Sequence, residues 1–185
     1  MVREDTSVRH LRPLPIDERL QRLAQRIRSL AEVDERRVRH AQDVVAARRG
    51  AARELHAVCA DFVDGVNGLL NDRLVSLDPP AYSAASYNDD SANLVQINVH
   101  GRILQVAYSA TAELVSTEDF RIPYILEGSV RAFNQEMLDK DLIEEQALFY
   151  TMEGNRKMWR YFEARTYRSG PFDREYLTSV MEQIL

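Results

Sequence analysis

Histidine is the side chain most readily used for metal ligation and proton transfer near neutral pH, and this chain has four, His10, His40, His56 and His100. They are far apart, and none forms the His-Glu-x-x-His spacing that would put two ligands on one helical face. There is no glycine-rich phosphate loop, no Gly-x-Ser-x-Gly elbow and no cysteine-histidine signature. Cys59 is the only cysteine, which excludes an intramolecular disulfide and a thiolate zinc cluster. It lies in the apolar stretch Leu55-His56-Ala57-Val58-Cys59-Ala60-Asp61-Phe62, where a thiol is expected to pack as a small hydrophobe. The acidic run Asn88-Asp89-Asp90-Ser91 lacks the spaced series of a calcium loop and reads as a turn. Glu144-Glu145 reads as the start of a strand beside a turn at Asp139-Lys140-Asp141. The sequence therefore assigns no catalytic residue, no metal ligand set and no cofactor.

Two groups of residues have more to offer. Tyr150, Trp159 and Tyr161, with Arg160 and Arg165 nearby, would line a small-ligand cavity if they sat on a sheet curved around a helix. Packed beneath a C-terminal helix, the same aromatics would simply be core. Arg19, Arg22 and Arg26 lie along one side of an apolar helical stripe. Interleaved acids, the lack of aromatics for base stacking and a net charge of −5 argue against nucleic acid as their partner.

The elements that must carry these residues follow from periodicity. Ile16, Leu20, Leu23, Ile27 and Leu30 recur at steps of 4, 3, 4 and 3, a heptad seam. Pro15 followed by Ile16-Asp17-Glu18 supplies a suitable helix start. At residues 33–40 the seam falters, with Asp34 and Arg37 in its next positions, and an eleven-residue step carries Ile27 to Val38. A second register then runs through Val45, Ala52, Leu55, Cys59, Phe62, Val66 and Leu69. Eleven residues make three turns, so continuity or a mild kink is favoured over a tight turn between two helices. Acid-then-base pairs Glu18/Arg22, Glu32/Arg36 and Glu35/Arg39 support the helix at i,i+4. Uninterrupted, it would extend on the order of 85 Å, more than a body of about 110 residues can cover. Residues 55–74 are apolar enough to cover a sheet, and residues 16–30 are left needing a partner.

At Asp78-Pro79-Pro80 the apolar period changes from helical to alternating, and the prolines are expected to end the helical region. A first hairpin is expected over residues 93–109, turning at His100-Gly101, with Val99 opposite Arg102, Ile97 opposite Leu104 and Val95 opposite Val106. A second spans residues 146–165, turning at Gly154-Asn155 and pairing Tyr150 with Trp159 and Leu148 with Tyr161. Between them, residues 121–134 read as strand, with Gly128-Ser129 as a tight turn or a bulge. Residues 82–87 read as an edge strand, and Asp173 as the N-cap of a final helix burying Tyr176, Leu177, Val180, Met181 and Ile184.

The expected fold is α+β: a long N-terminal helix or helix pair, an antiparallel meander of about five strands, and a C-terminal helix on the sheet. Residues 1–15 are expected to form a flexible arm, 16–50 an amphipathic helix that projects or folds back, and 51–185 the α+β domain. No stretch approaches the roughly 18 apolar residues of a membrane span, and Met-Val-Arg-Glu-Asp-Thr-Ser lacks the apolar run of a signal peptide. The expected setting is cytoplasmic. Charge is uneven: residues 1–40 carry ten Arg against seven acids, and residues 79–185 ten basic against sixteen acidic residues. The function this supports is a non-enzymatic interaction or assembly module, self-associating or binding a protein partner through Ile16, Leu20, Leu23, Ile27 and Leu30. The alternative is a small-ligand sensor or carrier using a pocket near Tyr150, Trp159, Tyr161 and Arg160.

Overall fold

The computed structural model describes residues 16–185; the arm expected over 1–15, with His10, lies outside the described residues. One helix, α1 (Ile16–Leu70), is followed by seven strands and two shorter helices: β1 (Val75–Asp78), β2 (Asn93–Val99), β3 (Arg102–Val115), β4 (Tyr124–Phe133), α2 (Gln135–Asp139), β5 (Glu145–Glu153), β6 (Arg156–Glu163), β7 (Arg168–Pro171) and α3 (Arg174–Glu182). The class is α+β, as expected, and of the two alternatives for the N-terminal region the single long helix is the one found. The sheet is an antiparallel meander in the order β1-β2-β3-β4-β5-β6-β7. It has seven strands, not about five. The chain divides into two units, one ending at Asp43 and the other spanning Val44–Leu185.

In the second unit, the part of α1 after Val44 buries Ala51, Ala52, Leu55, Cys59, Phe62 and Val63. The second heptad register thus locates the core face from Ala52 to Phe62, while Leu69 is 86% exposed. The helix stops well before the prolines. Asn71 takes a left-handed conformation (φ 52°), a common helix-ending geometry, and Asn67 then accepts from the Val75 N–H and donates to the Val75 carbonyl at 3.0 and 2.8 Å. Asp78-Pro79-Pro80 ends β1, not the helix.

Both expected hairpins form in the expected register, Val95↔Val106 and Ile97↔Leu104 in one, Tyr150↔Trp159 and Leu148↔Tyr161 in the other. Their turns place His100, Gly101 and Gly154 at positive φ, which two-residue hairpin loops demand. Gly128-Ser129 is neither turn nor bulge. Gly128 lies within β4, opposite Tyr108 on β3 and Leu148 on β5, and its bare Cα makes room for Tyr108. One cross-strand row therefore reads Tyr108-Gly128-Leu148-Tyr161-Gly170, each glycine beside a tyrosine. The core lies between this sheet face and helices α1 and α3. In α3, Asp173 caps by accepting from the Tyr176 N–H at 2.9 Å; Tyr176, Leu177, Val180 and Met181 are buried as expected, and so is Ile184 just beyond the end of the helix. A smaller cluster gathers Phe120, Tyr124 and Phe162 around the β3–β4 connection.

Candidate functional site

The heptad seam occupies the first unit. Ile16, Leu20, Leu23, Ile27 and Leu30 are 63, 55, 53, 58 and 63% exposed, and Val38 is 57% exposed. Residues 33–40 stay helical, so the stutter displaces the stripe without interrupting the backbone. Of the expected acid-base pairs, Glu35 and Arg39 meet at 3.1 Å. Arg36 donates to the backbone carbonyl of Glu32, not to its carboxylate. Arg19, Arg22, Arg26 and Arg28 are the only charges between Glu18 and Glu32, so the seam has a basic middle between two acidic ends.

The aromatic trio lies in the second unit, within its core. Trp159 is 2% exposed and its indole N–H donates to the Ala51 carbonyl of α1 at 2.8 Å. Its ring meets Tyr108 and Tyr150 edge-on at centroid distances of 5.3 and 5.4 Å. The Tyr150 hydroxyl donates to Glu54 at 3.4 Å. Burial, with the neighbouring Glu54 charge, pushes that phenol up to about 12. Glu54 is itself raised by burial, opposed by the Tyr150 hydrogen bond. Tyr161 stacks on Tyr176 of α3 at 4.3 Å. Arg160 lies opposite Phe149 and Pro171, with its Nε buried and without a hydrogen-bond partner. Cavities of 450, 330 and 410 Å³ on this unit have none of these four residues in their walls.

A polar cluster that the sequence did not reveal ties residues 79–93 to the helix and sheet. Arg48 donates to the Thr111 carbonyl and pairs with Asp89 at 3.5 Å, its side chain only 12% exposed. Tyr87 donates to the same Asp89 oxygen at 2.9 Å. Burial raises the Tyr87 phenol first, the Asp89 bond and charge add to this, and Arg48 opposes. His56, 5% exposed, bonds the Pro79 carbonyl through Nε2 at 2.8 Å. The Asn93 amide accepts from the Asn88 N–H and donates to the Asn88 carbonyl, both at 2.8 Å. Residues 82–87, expected as an edge strand, therefore form a strap held by side chains, and β1 is the edge. The only forewarning was the turn chemistry of residues 88–91, which named the bend without naming Arg48 as its anchor.

Cys59 is fully buried and its thiol is pushed up to about 12 by desolvation. It should resist a disulfide-based thiol reagent in native buffer and react with one equivalent in guanidinium; rapid native labelling would contradict the burial. Among the described residues, no group of three or more His, Cys, Asp and Glu gathers as a metal site, and no helix is long and apolar enough to cross a membrane. No protein-family model matches the chain, and comparisons with curated proteins and with solved structures return no match.

Proposed function

We propose that this chain is a non-enzymatic assembly module that self-associates through the seam of α1, acting in the cytoplasm. The observation that carries the reading is the exposure of five consecutive heptad positions, each more than half open to water. Fully burying one such side chain is worth about 1.5–3 kcal/mol, so pairing the stripe would offset a substantial cost of association. Nothing else about residues 16–30 explains an unbroken 4-3-4-3 spacing, since a solvated helix needs no stripe at all.

The charge order constrains the pairing. In a parallel, in-register pair, Arg19, Arg22, Arg26 and Arg28 of both copies would lie at the same level along the axis and concentrate positive charge there. A staggered arrangement would instead bring this basic stretch level with Glu32, Asp34 and Glu35 of the second copy, and complementary charge along paired helices biases their register in this way. Size-exclusion chromatography with light scattering should show the wild type above monomer mass and Leu23→Glu/Ile27→Glu as a monomer with unchanged sheet signal. A wild type that is already monomeric across the micromolar range would end the proposal.

A further inference from the structure

We propose that the groove between the end of α1 and helix α3 binds a medium-chain carboxylate, with its head group on Arg174 and its chain along the apolar floor. The groove holds about 450 Å³, within the range of small-ligand sites, which are mostly apolar with a few placed polar groups. Phe62 and Val66 of α1, Val99 of β2 and Met181 of α3 form its walls. At the rim, Leu69 and Leu70 are 86% and 49% exposed, so an alkyl chain laid there would cover surface that is now wet.

Arg174 and Glu182 are the only charged side chains on the wall, and they fix the direction of the ligand. Gly65 seats the guanidinium: a Cβ built there would lie 3.4 Å from Nη2 and 3.5 Å from Cζ of Arg174. Nη2 donates to the Asp61 carbonyl at 3.0 Å, which anchors one arm of the fork and leaves the Nη1 arm for an incoming carboxylate. A mid-helix glycine costs about 1 kcal/mol relative to alanine, and here it gives the cation its seat. Glu182 lies eight residues further along α3, about 12 Å by helical rise, and its charge repels an anion from that end. Thr178, between the two and exposed, faces the same groove.

Isothermal titration calorimetry with octanoate and octan-1-ol tests both the pocket and its polarity. Octanoate should bind the wild type, and octan-1-ol about tenfold more weakly, as loss of a charge-assisted hydrogen bond implies. Arg174→Gln should weaken octanoate about tenfold and leave octan-1-ol unchanged, while Glu182→Gln should not weaken octanoate. Thr178→Trp, at an exposed helix position, should fill the groove and abolish both titrations with the thermal melt retained. The proposal is overturned by an absence of octanoate binding to the wild type, by an Arg174→Gln variant that binds octanoate normally, or by undiminished binding to Thr178→Trp. If octanoate fails and Thr178→Trp instead lowers the mass seen by light scattering, the groove belongs to a second copy and the carboxylate assignment falls.

Discussion

Gly128→Ala is expected to destabilise the protein by about 3 kcal/mol or more, the upper end of the cost of overpacking a core. A Cβ at this position would lie 2.1 Å from the Ala107 carbonyl oxygen and 2.7 Å from both Cα and Cβ of Tyr108. Those are backbone atoms of the neighbouring strand and the root of a buried side chain, so no rotamer change relieves them. β3 would have to move away from β4, and with it the Tyr108 ring that packs edge-on against Trp159. Gly170→Ala provides the internal control. Its Cβ would meet the Tyr161 ring, 2.8 Å from Cε1, and that ring is the far end of a side chain opposite an edge strand. It can shift by loosening its stack on Tyr176, at a smaller cost, about 1 kcal/mol, the low end of the same range. Urea unfolding of the two variants should therefore separate them clearly, and equal losses would refute the account of Gly128 as a seat for backbone and Tyr108.

The same glycine shows where sequence reasoning stopped. Between apolar strands, Gly-Ser usually means a turn or a bulge, and only the cross-strand row shows that Gly128 is spaced to receive a tyrosine. The hairpin turns were legible because each carries glycine between two alternating stretches whose apolar faces agree in register, and a one-residue slip would have broken that agreement. The edge strands were not. β1 and β7 are four residues each, too short to display alternation. The prolines at 79–80 are conspicuous in the sequence, whereas the left-handed turn at Asn71 that follows the end of α1 is a property of backbone geometry.

The sites divide in the same way. The seam is local in sequence, so its spacing alone defined it, and the exposure of its residues is what the fold adds. The groove on Arg174 is assembled from α1, β2 and α3, and Phe62, Val66, Val99 and Met181 each read individually as ordinary core. The aromatic trio was correctly placed on facing strands, yet only the position of α1 shows what those rings touch. Once Ala51 brings its carbonyl to the Trp159 indole, that ring is packing for the helix.

Trp159 is accordingly the side chain whose removal should most directly loosen the helix from the sheet. Trp159→Ala is expected to cost about 3–5 kcal/mol, the usual range for truncating a buried aromatic. It would strand Tyr108 and Tyr150 beside a cavity and remove the hydrogen bond to Ala51. Trp159→Phe keeps a ring between those tyrosines and should cost less, about 1–3 kcal/mol, combining lost volume with one lost hydrogen bond of about 1 kcal/mol. Unfolding followed in parallel by helical circular dichroism and by near-ultraviolet aromatic signals distinguishes a general core loss from a specific loosening. In the wild type the aromatic transition should coincide with loss of the helical signal from residues 44–70, because Leu55, Cys59 and Phe62 share one core with the sheet. In Trp159→Ala, part of the helical signal should melt before the aromatic signal of the remaining tyrosines. The decisive contrary result would be a variant with wild-type stability, which would mean that the indole contributes neither volume nor a hydrogen bond that matters to how α1 is held.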